Sequence, residues 1–298
     1  MKMTKKQFDV LVYLESKNSA CSQREIAKDT GISVGGINKI ISDFTENGLV
    51  SGGKITEKGI EALEPYKVRR AVFIAAGFGS RLVPITLNTP KPLVRVKGQR
   101  IIDSLLDAVV AAGIEDIVIV RGYLGEQFDQ LLSKYPSIKF IENELYNECN
   151  NISSAYLARD FIRNSYVFEA DLLLYNPKLI TKYQYCTNYL GVPTPRTDDW
   201  CFFTDASQNI KKLGVGGIDC YHMFGLSYWT ESDGEKLSAH LKEVFENTPG
   251  GKERYWDEVA LGYYIDEYKV AVRPCTFEDI IEIDTFNELK KIDKNYAV

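Results

Sequence analysis

Residues 71–82 read AVFIAAGFGSRL, a short apolar run followed directly by a turn that contains two glycines. The run has the length and composition of a buried strand. Gly77 and Gly79 allow the backbone to turn sharply and to approach a ligand closely, because neither residue carries a β-carbon. Backbone N–H groups in such a turn can bind phosphate oxygens. The stretch therefore predicts a phosphate-binding loop at the end of a strand.

Strands and helices alternate in the sequence that follows this turn. Apolar residues recur at helical spacing in some segments and form short continuous runs in others. The helical segments are residues 101–112, 127–134 and 153–161, and the strand segments are residues 117–120, 139–141 and 166–168. This alternation predicts an α/β fold with a mostly parallel central sheet. Ligands bind such sheets beyond the C-terminal ends of the strands, which is where the glycine turn lies.

The N-terminal segment has a different pattern. A predicted helix over residues 4–17 is followed by two helices that begin at Ser22 and Ser33, and Glu25 completes a capping box with Ser22. Residues 49–56, which are centred on two glycines, have the pattern of a hairpin. Helices followed by a hairpin predict a small winged helix-turn-helix domain.

The charge distribution indicates a domain boundary after residue 67. Residues 1–70 carry 12 basic and 9 acidic side chains, a net charge of +3, whereas the chain as a whole carries −5. We therefore predict a winged-helix domain over residues 1–67 and a second domain over residues 68–298. A charge of +3 is low for a dedicated DNA-binding domain. DNA binding is therefore less favoured than dimerisation or docking through the winged helix.

The composition argues against several other classes of protein. No segment approaches the roughly 18 consecutive apolar residues of a membrane span, and the N-terminal residues lack the cleavage site of a signal peptide. We therefore expect a cytoplasmic protein without membrane insertion. The six cysteines form no C-x-x-C pair and only two histidines are present, which leaves little for a zinc site.

Two cations extend the glycine turn. Arg81 follows the second glycine by two residues, and Lys91 lies in the segment Pro90-Lys91-Pro92-Leu93. The turn is neither a Walker A loop nor the full G-x-G-x-x-G fingerprint. The pattern AAGFGSRL…TPKPL resembles the signature of the sugar-phosphate and phosphocholine nucleotidyltransferases. The resemblance covers residues 70–293 and implies a Rossmann-like nucleotidyltransferase fold. It also implies that the triphosphate is bound by Ala75, Ala76, Gly77, Gly79, Arg81 and Lys91.

Two aspartates follow apolar runs that are far apart in the sequence, Asp171 and Asp284. Magnesium prefers carboxylate and phosphate oxygens, and one carboxylate from each of two strand ends suits such an ion. The resemblance assigns both aspartates as Mg²⁺ ligands. Glu169 and Glu282, which lie beside them, are interpreted as neighbours and not as ligands.

Aromatic and acidic residues occur together in two further segments, Thr197-Asp198-Asp199-Trp200 and Tyr255-Trp256-Asp257. A quaternary ammonium has no N–H to donate, so proteins hold it with aromatic faces and a nearby negative charge. Together with residues 150–154, these segments resemble the bacterial CTP:phosphocholine cytidylyltransferases. The resemblance implies Trp200 and Tyr255 as walls of an aromatic cage and Asp257 as the counter-charge.

Four more residues are candidate contacts for the nucleotide. Asn151 and Ser153 precede a predicted helix, where Ser153 is equally suited to be the N-cap. Gly122 and Tyr123 follow the second strand, at the edge of the sheet where a base would lie.

The sequence thus predicts an enzyme that transfers CMP from CTP to phosphocholine and releases pyrophosphate. The acceptor phosphate would attack the α-phosphorus in line, with Lys91, Arg81 and Asp171 as the catalytic residues and Mg²⁺ as the cofactor. The alternative acceptors are 2-aminoethylphosphonate, a related aminoalkyl phosphate and a sugar phosphate. A DNA-binding regulator with a ligand-sensing transferase-like domain is an alternative of another class, and a scaffold or part of a longer fusion is a third.

Overall fold

Three helices, a two-stranded hairpin and a fourth helix make up the N-terminal unit of the computed structural model, which describes residues 3–17 and 19–296. The elements are α1 (Lys5–Lys17), α2 (Gln23–Thr30), α3 (Val34–Glu46), β1 (Val50–Ser51), β2 (Lys54–Ile55) and α4 (Glu57–Leu63). Ser22 and Glu25 form the predicted capping box, and Ser33 accepts the N–H of Gly36. Gly31 ends α2 with a left-handed backbone, at φ 69°. The unit is a winged helix-turn-helix.

A segment from later in the chain belongs to this unit. Tyr183–Tyr185 group with the residues up to Lys67 and not with their own neighbours in sequence. Tyr183 is buried in the hydrophobic core of the unit, and Tyr185 stacks on Tyr66 with ring centroids 5.8 Å apart. The sequence predicts these tyrosines in the second domain, over residues 68–298, because packing against a distant segment leaves no local periodicity.

The second unit contains Val68–Lys182 and the chain from Cys186 onward, and it is built on a seven-stranded sheet. Its strands are β3 (Arg70–Ile74), β4 (Arg95–Val96), β5 (Gln99–Arg100), β6 (Asp116–Arg121), β7 (Ile138–Glu142), β8 (Ser165–Glu169), β9 (Leu172–Leu174), β10 (Asn188–Thr204), β11 (Ile210–Trp229), β12 (Ala271–Pro274) and β13 (Ile280–Glu282). Its α-helices are α5 (Ile101–Ala111), α6 (Ile152–Leu157), α7 (Glu231–Asn247) and α8 (Phe286–Ile292).

The order of strands across the large sheet is β12-β10-β11-β8-β3-β6-β7. Strands β8, β3, β6 and β7 run parallel, whereas β11 is antiparallel to both β8 and β10. The mostly parallel sheet that the sequence predicts is therefore confirmed. Because β8, β3 and β6 are neighbours and parallel, their C-terminal ends meet at one edge.

Alternate residues of β3 enter the cores on opposite faces of the sheet, as the strand period of two requires. Ala71 and Phe73 lie in one core with residues of α5, whereas Val72 and Ile74 lie in the other with residues of α6 and α7. Burial on both faces explains why the strand reads as a continuous apolar run.

Two of the predicted helices differ in the structure. Residues 125–133 form a 3₁₀ helix instead of an α-helix, and the segment predicted over residues 153–161 divides into α6 and a short 3₁₀ helix, Arg159–Phe161. Asn151, not Ser153, occupies the N-cap position of α6. The hydroxyl of Ser153 instead donates to the carbonyl of Asn150, at 2.8 Å. No helix in the described part of the chain has the length and apolarity of a membrane span.

The long antiparallel pair of β10 and β11 was only partly predicted. Residues 216–229 are predicted as a strand from the sequence, whereas residues 197–200 are interpreted as an acceptor motif and not as part of a strand. In the structure these residues lie within β10, and the register with β11 shifts between Thr197 and Trp200. The shift is typical of a β-bulge, which changes the orientation of nearby side chains.

Candidate active site

The glycine turn forms one wall of a cleft of about 520 Å³ at the C-terminal edge of the sheet. The backbone N–H of Ala75 donates to the carbonyl of Val120 in β6, at 2.9 Å, and so fixes the start of the turn. Gly79 has a left-handed backbone, at φ 68°, and a β-carbon there would stand 2.9 Å from Cβ of Lys91. Glycine is therefore required both by the conformation and by the close approach of Lys91. The turn residues that line the cleft are Ala75, Ala76, Gly77, Gly79, Ser80 and Arg81.

Lys91 joins the two aspartates that the sequence singled out. Its Nζ donates to Oδ2 of Asp171 at 2.8 Å and to Oδ1 of Asp284 at 2.9 Å. Burial disfavours the ammonium, but the two carboxylates outweigh it and raise the pKa of Lys91. Arg81 donates to the same oxygen of Asp284 at 2.7 Å from a largely exposed position. The structure thus brings all four residues to one side of the cleft.

A small sheet explains why residues so far apart in sequence meet. Strand β9 pairs antiparallel with β13, and Leu172 lies opposite Glu282. The N–H of Ile283 donates to the carbonyl of Asp171, at 3.3 Å. The end of β8 and the end of β13 are therefore held side by side, and Asp284 follows directly.

Two glutamates that the sequence analysis set aside belong to the same acidic cluster. One carboxylate oxygen each of Glu169, Asp171 and Glu282 lie within 4.8 Å of one another. Burial, reinforced by the neighbouring acids, raises the pKa of both glutamates well above the usual range. Oδ1 of Asp171 is buried without a hydrogen-bond partner among the described residues. A divalent cation would relieve both the desolvation and the repulsion, so this donor set fits Mg²⁺.

Polar side chains line the cleft beside the glycine turn. Asn143 follows β7, and its Oδ1 accepts the backbone N–H of Leu145 at 3.0 Å, which fixes the orientation of the amide. Its Nδ2 therefore donates to the hydroxyls of Ser153 and Ser154, at 3.0 and 2.9 Å. The sequence indicates Ser153 as a site residue but not Asn143 or Ser154, although the position of Asn143 directly after a strand is an available signal.

Tyr146 also lines this part of the cleft. A β-carbon at Gly122 would stand 2.8 Å from Cβ of Tyr146, so Gly122 allows the tyrosine to pack against the backbone. Tyr123 donates its hydroxyl to the carbonyl of Leu87, at 3.0 Å, and packs edge-on against Phe78. The structure thus places Tyr146 in the cleft wall, whereas Gly122 and Tyr123, the candidates from the sequence, are not among the residues that line the cleft.

The candidate acceptor residues lie in the same cleft. Trp200 and Tyr255 pack against each other at an angle of 67°, with ring centroids 5.4 Å apart. Asp257 is buried, at 4% exposure, and its Oδ1 accepts the hydroxyl of Tyr189 at 2.6 Å. Burial raises the pKa of Asp257 to about 7. The aromatic pair and the counter-charge predicted from the sequence are therefore neighbours, but the two rings contact each other.

The side chain of Asn151 makes hydrogen bonds to two segments of the cleft, one at Glu169 and one at Trp256. Its Nδ2 donates to Oε1 of Glu169 at 3.1 Å, and its Oδ1 accepts the backbone N–H of Trp256 at 2.9 Å. These partners belong to the acidic cluster and to the segment that carries Tyr255 and Asp257.

Two family models match the chain. Residues 70–187 match the family described as nucleotidyl transferase, and residues 3–51 match the family described as winged helix-turn-helix DNA-binding. The second match lies in the N-terminal unit, and the first lies in the second unit except for Tyr183–Tyr185.

Known proteins match about three quarters of this chain along almost their whole length. The 2-aminoethylphosphonate cytidylyltransferase of Lancefieldella rimae is 37% identical over 230 residues, which are 76% of this chain and 93% of the relative. The choline-phosphate cytidylyltransferase of Haemophilus influenzae is 31% identical over 74% of this chain and 95% of its own. A solved structure of the CTP:phosphocholine cytidylyltransferase from Streptococcus pneumoniae matches with a TM-score of 0.71 and 30% identity, covering 77% of this chain and 99% of that chain. The chain therefore belongs to the nucleotidyltransferase family, and within it to the cytidylyltransferases, with a winged helix-turn-helix domain before the catalytic domain.

Proposed function

We propose that this cytidylyltransferase transfers CMP from CTP to the phosphonate or phosphate group of a small primary amine, with 2-aminoethylphosphonate as the first candidate acceptor. The observation that carries the reaction type is the position of Lys91, between Asp171 and Asp284 and against the glycine turn. Cations beside a backbone turn suit a triphosphate, and carboxylates beside them suit the metal ion that accompanies it.

The chemistry needs no protein nucleophile, because the acceptor oxyanion is already ionised at neutral pH. An acceptor oxygen attacks the α-phosphorus of CTP, a new P–O bond forms, and the bond to pyrophosphate breaks. Lys91 and Arg81 neutralise the charge on the phosphates and on the departing pyrophosphate, while the turn from Ala75 to Gly79 positions the triphosphate. Asp171 and Asp284, with Glu169 and Glu282 beside them, would hold Mg²⁺, which supplies charge neutralisation at the reacting phosphates.

The geometry of the acceptor region supports a primary amine. A trimethylammonium is held by rings that stand around it, each within about 6 Å of the cation, whereas Trp200 and Tyr255 contact each other. A primary ammonium donates N–H bonds to carboxylates, and Asp257 and Glu169 line the same cleft. The relative that acts on 2-aminoethylphosphonate is also more similar in sequence than the two choline-phosphate enzymes.

Phosphocholine is the second candidate acceptor. It is favoured by Trp200 and Tyr255 beside a carboxylate, and by the structural likeness to the pneumococcal enzyme. Trp200→Ala separates the two acceptors. If phosphocholine is the substrate, the substitution raises its KM about tenfold or more, which is the contribution of a ring to a desolvated quaternary ammonium.

A pyrophosphate-release assay tests the proposal. CTP, UTP, ATP and GTP are each combined with 2-aminoethylphosphonate, phosphocholine and glucose 1-phosphate in the presence of Mg²⁺. We expect CTP with 2-aminoethylphosphonate to have a kcat/KM at least about tenfold above any other pair. A preference for phosphocholine would contradict the acceptor only, whereas no pyrophosphate from any pair would contradict the reaction.

Asp171→Asn tests the role of the acidic cluster. We expect turnover to fall about 100-fold or more, because the neutral amide cannot replace a carboxylate beside the metal and Lys91. Asp160→Asn, in a short 3₁₀ helix outside the cleft lining, is the matched control and should retain full turnover. Thermal unfolding confirms that both variants are folded, and normal turnover of the Asp171 variant would refute the metal role.

DNA binding by the winged helix is a candidate activity of another class. It is favoured by the match of residues 3–51 to a DNA-binding family, and Asn38 and Lys39 are exposed on α3. Asp43 and Glu46 are exposed on the same helix and oppose phosphate contacts. A gel-shift assay at two salt concentrations decides the question, because specific and non-specific binding differ in their response to salt.

A further inference from the structure

Asn151 has its side-chain amide fixed in one orientation. A backbone N–H can only donate, so the atom that accepts from Trp256, at 2.9 Å, must be the oxygen Oδ1. The atom that faces Oε1 of Glu169, at 3.1 Å, is therefore the nitrogen Nδ2, which donates. Although Asn151 occupies the N-cap position of α6, its side chain makes no capping bond to that helix. Both of its polar atoms thus point to the acceptor region.

The neighbouring residue strengthens this connection. The backbone N–H of Asn150 donates to the carbonyl of Lys252 at 2.8 Å, and its Nδ2 donates to the carbonyl of Glu253 at 3.1 Å. With the bond from Trp256 to Asn151, three hydrogen bonds join the start of α6 to residues 252–256. This segment is followed directly by Asp257, so the start of α6 controls where that carboxylate lies.

Glu169 faces the same cleft from the end of β8. Its Oε1 accepts a hydrogen bond from Nδ2 of Asn151, and the backbone of Gly225 lies close to its Oε2. A carboxylate has about four lone-pair sites, so one bond from Asn151 leaves capacity for a ligand that donates. Asp257, which directly follows residues 252–256, also lines the cleft.

We propose that Asn151 is a positioning residue for the acceptor: its amide fixes Glu169 and the Tyr255–Asp257 segment as two walls of one ammonium site, in which Glu169 and Asp257 both receive the N–H groups of the acceptor. This inference rests on the proposed function and deepens it. It assigns Asn151 to the acceptor, whereas the sequence analysis assigned it to the nucleotide, and it gives Glu169 a substrate contact.

The first test separates the two Michaelis constants. In Asn151→Ala, the KM for 2-aminoethylphosphonate should rise about tenfold or more, while the KM for CTP stays within about twofold. The reason is that the substitution removes the hydrogen bonds to Glu169 and to the backbone of Trp256, which position the acceptor and not the nucleotide. Asn247→Ala is the matched control, since it removes an exposed amide on α7 outside the cleft lining. A higher KM for CTP with an unchanged KM for the acceptor overturns the proposal, as does an equal rise in both constants.

The second test exchanges donor and acceptor between the two side chains. Asn151→Asp keeps an oxygen for the N–H of Trp256 but places a carboxylate against Glu169, so the acceptor KM should rise. The double substitution N151D/E169Q restores a hydrogen bond with the opposite direction and restores the net charge of the pair. We expect it to recover at least about tenfold of the loss in kcat/KM caused by N151D. No recovery overturns the claim that this bond positions the acceptor.

The outcomes distinguish this inference from the proposed function. If the unsubstituted enzyme releases no pyrophosphate with any acceptor, the proposed function fails. If it turns over and the Asn151 variants change both constants in parallel, only the role of Asn151 fails. Thermal unfolding of each variant, with and without CTP, shows whether the variant is folded. If Asn151→Ala does not fold, the kinetics of N151D/E169Q test the role of Asn151.

Discussion

Gly225 in β11 lies against the carboxylate of Glu169. A β-carbon at this position would stand 2.4 Å from Oε2, far inside contact distance. Gly225→Ala must therefore displace the carboxylate, and we expect the KM for the acceptor to rise about tenfold with little change in the KM for CTP. Gly214→Ala in the same strand is the matched control, because its β-carbon would meet Phe203 at an ordinary 3.5 Å. Equal kinetic effects of the two substitutions would contradict a role of Glu169 on the acceptor side.

Asp257 predicts a pH dependence of acceptor binding. Burial raises its pKa to about 7, so the carboxyl is largely neutral below that pH and cannot attract an ammonium. The KM for the acceptor should fall as the pH rises through about 7 and then level off. The raised pKa also means that the folded protein holds a proton that the unfolded chain releases above the usual carboxyl pKa of 3.8, so this group makes stability fall as the pH rises from about 4 through 7.

Steady-state kinetics from pH 5.5 to 8.5 at saturating CTP test this prediction. The acceptor's own phosphonate or phosphate titrates in a similar range, at about pH 6, so Asp257→Asn provides the reference that lacks the titration of Asp257. Identical pH profiles for the two proteins would exclude Asp257 as the source.

Individual residues were predictable where their chemistry is carried by a motif. Lys91 and Asp171 were found because each follows a recognisable strand or turn, and the structure places them 2.8 Å apart. Glu169 and Glu282 are interpreted from the sequence as neighbours of the two aspartates, because the resemblance assigns only Asp171 and Asp284 as ligands. The pairing of β9 with β13 brings Glu282 into one cluster with Glu169, and this tertiary contact leaves no local sequence pattern.

Among the secondary-structure elements, α8 positions the backbone of Asp284. Its capping box joins Thr285 to Glu288, and Oε2 of Glu288 also accepts the N–H of Asp284 at 2.9 Å. We expect Glu288→Ala to lower kcat about tenfold, because Asp284 loses its fixed backbone beside Lys91, and to reduce stability by about 1 kcal/mol.

The capping box of α2 supplies the matched control for this prediction. Glu25→Ala removes the same type of bond, from the N–H of Ser22, in the winged-helix unit. We expect a similar small loss of stability, measured by denaturant unfolding, with kcat unchanged. A fall in kcat of equal size in both variants would show that general destabilisation, and not the position of Asp284, is responsible.

Strand β10 shows why the sequence predicts some elements and not others. The apolar runs of β3, β6 and β8 were found because both of their faces are buried. Strand β10 contains Pro193 and Pro195, which normally argue against a central strand. Its pairing with β12 ends at Gly191, so beyond this residue β11 is its only partner among the described strands, and the prolines are tolerated on an edge. This strand carries Trp200, and its course could not be read from local sequence.

For the whole molecule, the distribution of tryptophan offers a way to follow each unit separately. The three tryptophans of the chain are Trp200, Trp229 and Trp256, and all belong to the second unit. Trp229 and Trp256 are fully buried beside each other. The first unit contains tyrosine but no tryptophan among residues 3–17, 19–67 and 183–185. Tryptophan fluorescence therefore reports unfolding of the second unit, whereas the helical signal in circular dichroism comes from both.

Each unit has a hydrophobic core of its own, so we expect CTP to stabilise one of them selectively. With Mg²⁺ and CTP at about 100 times the dissociation constant, binding contributes about 2.7 kcal/mol, which raises the fluorescence midpoint by roughly 5–10 °C for a unit of this size. The circular dichroism signal should then divide into a part that moves with the fluorescence and a part that does not. Trp229→Phe, which keeps an aromatic ring in the core, checks that the fluorescence transition is assigned correctly. A single transition that moves by the same amount in both signals would mean that the chain unfolds as one cooperative body, and that nucleotide binding in the second unit is transmitted to the winged helix.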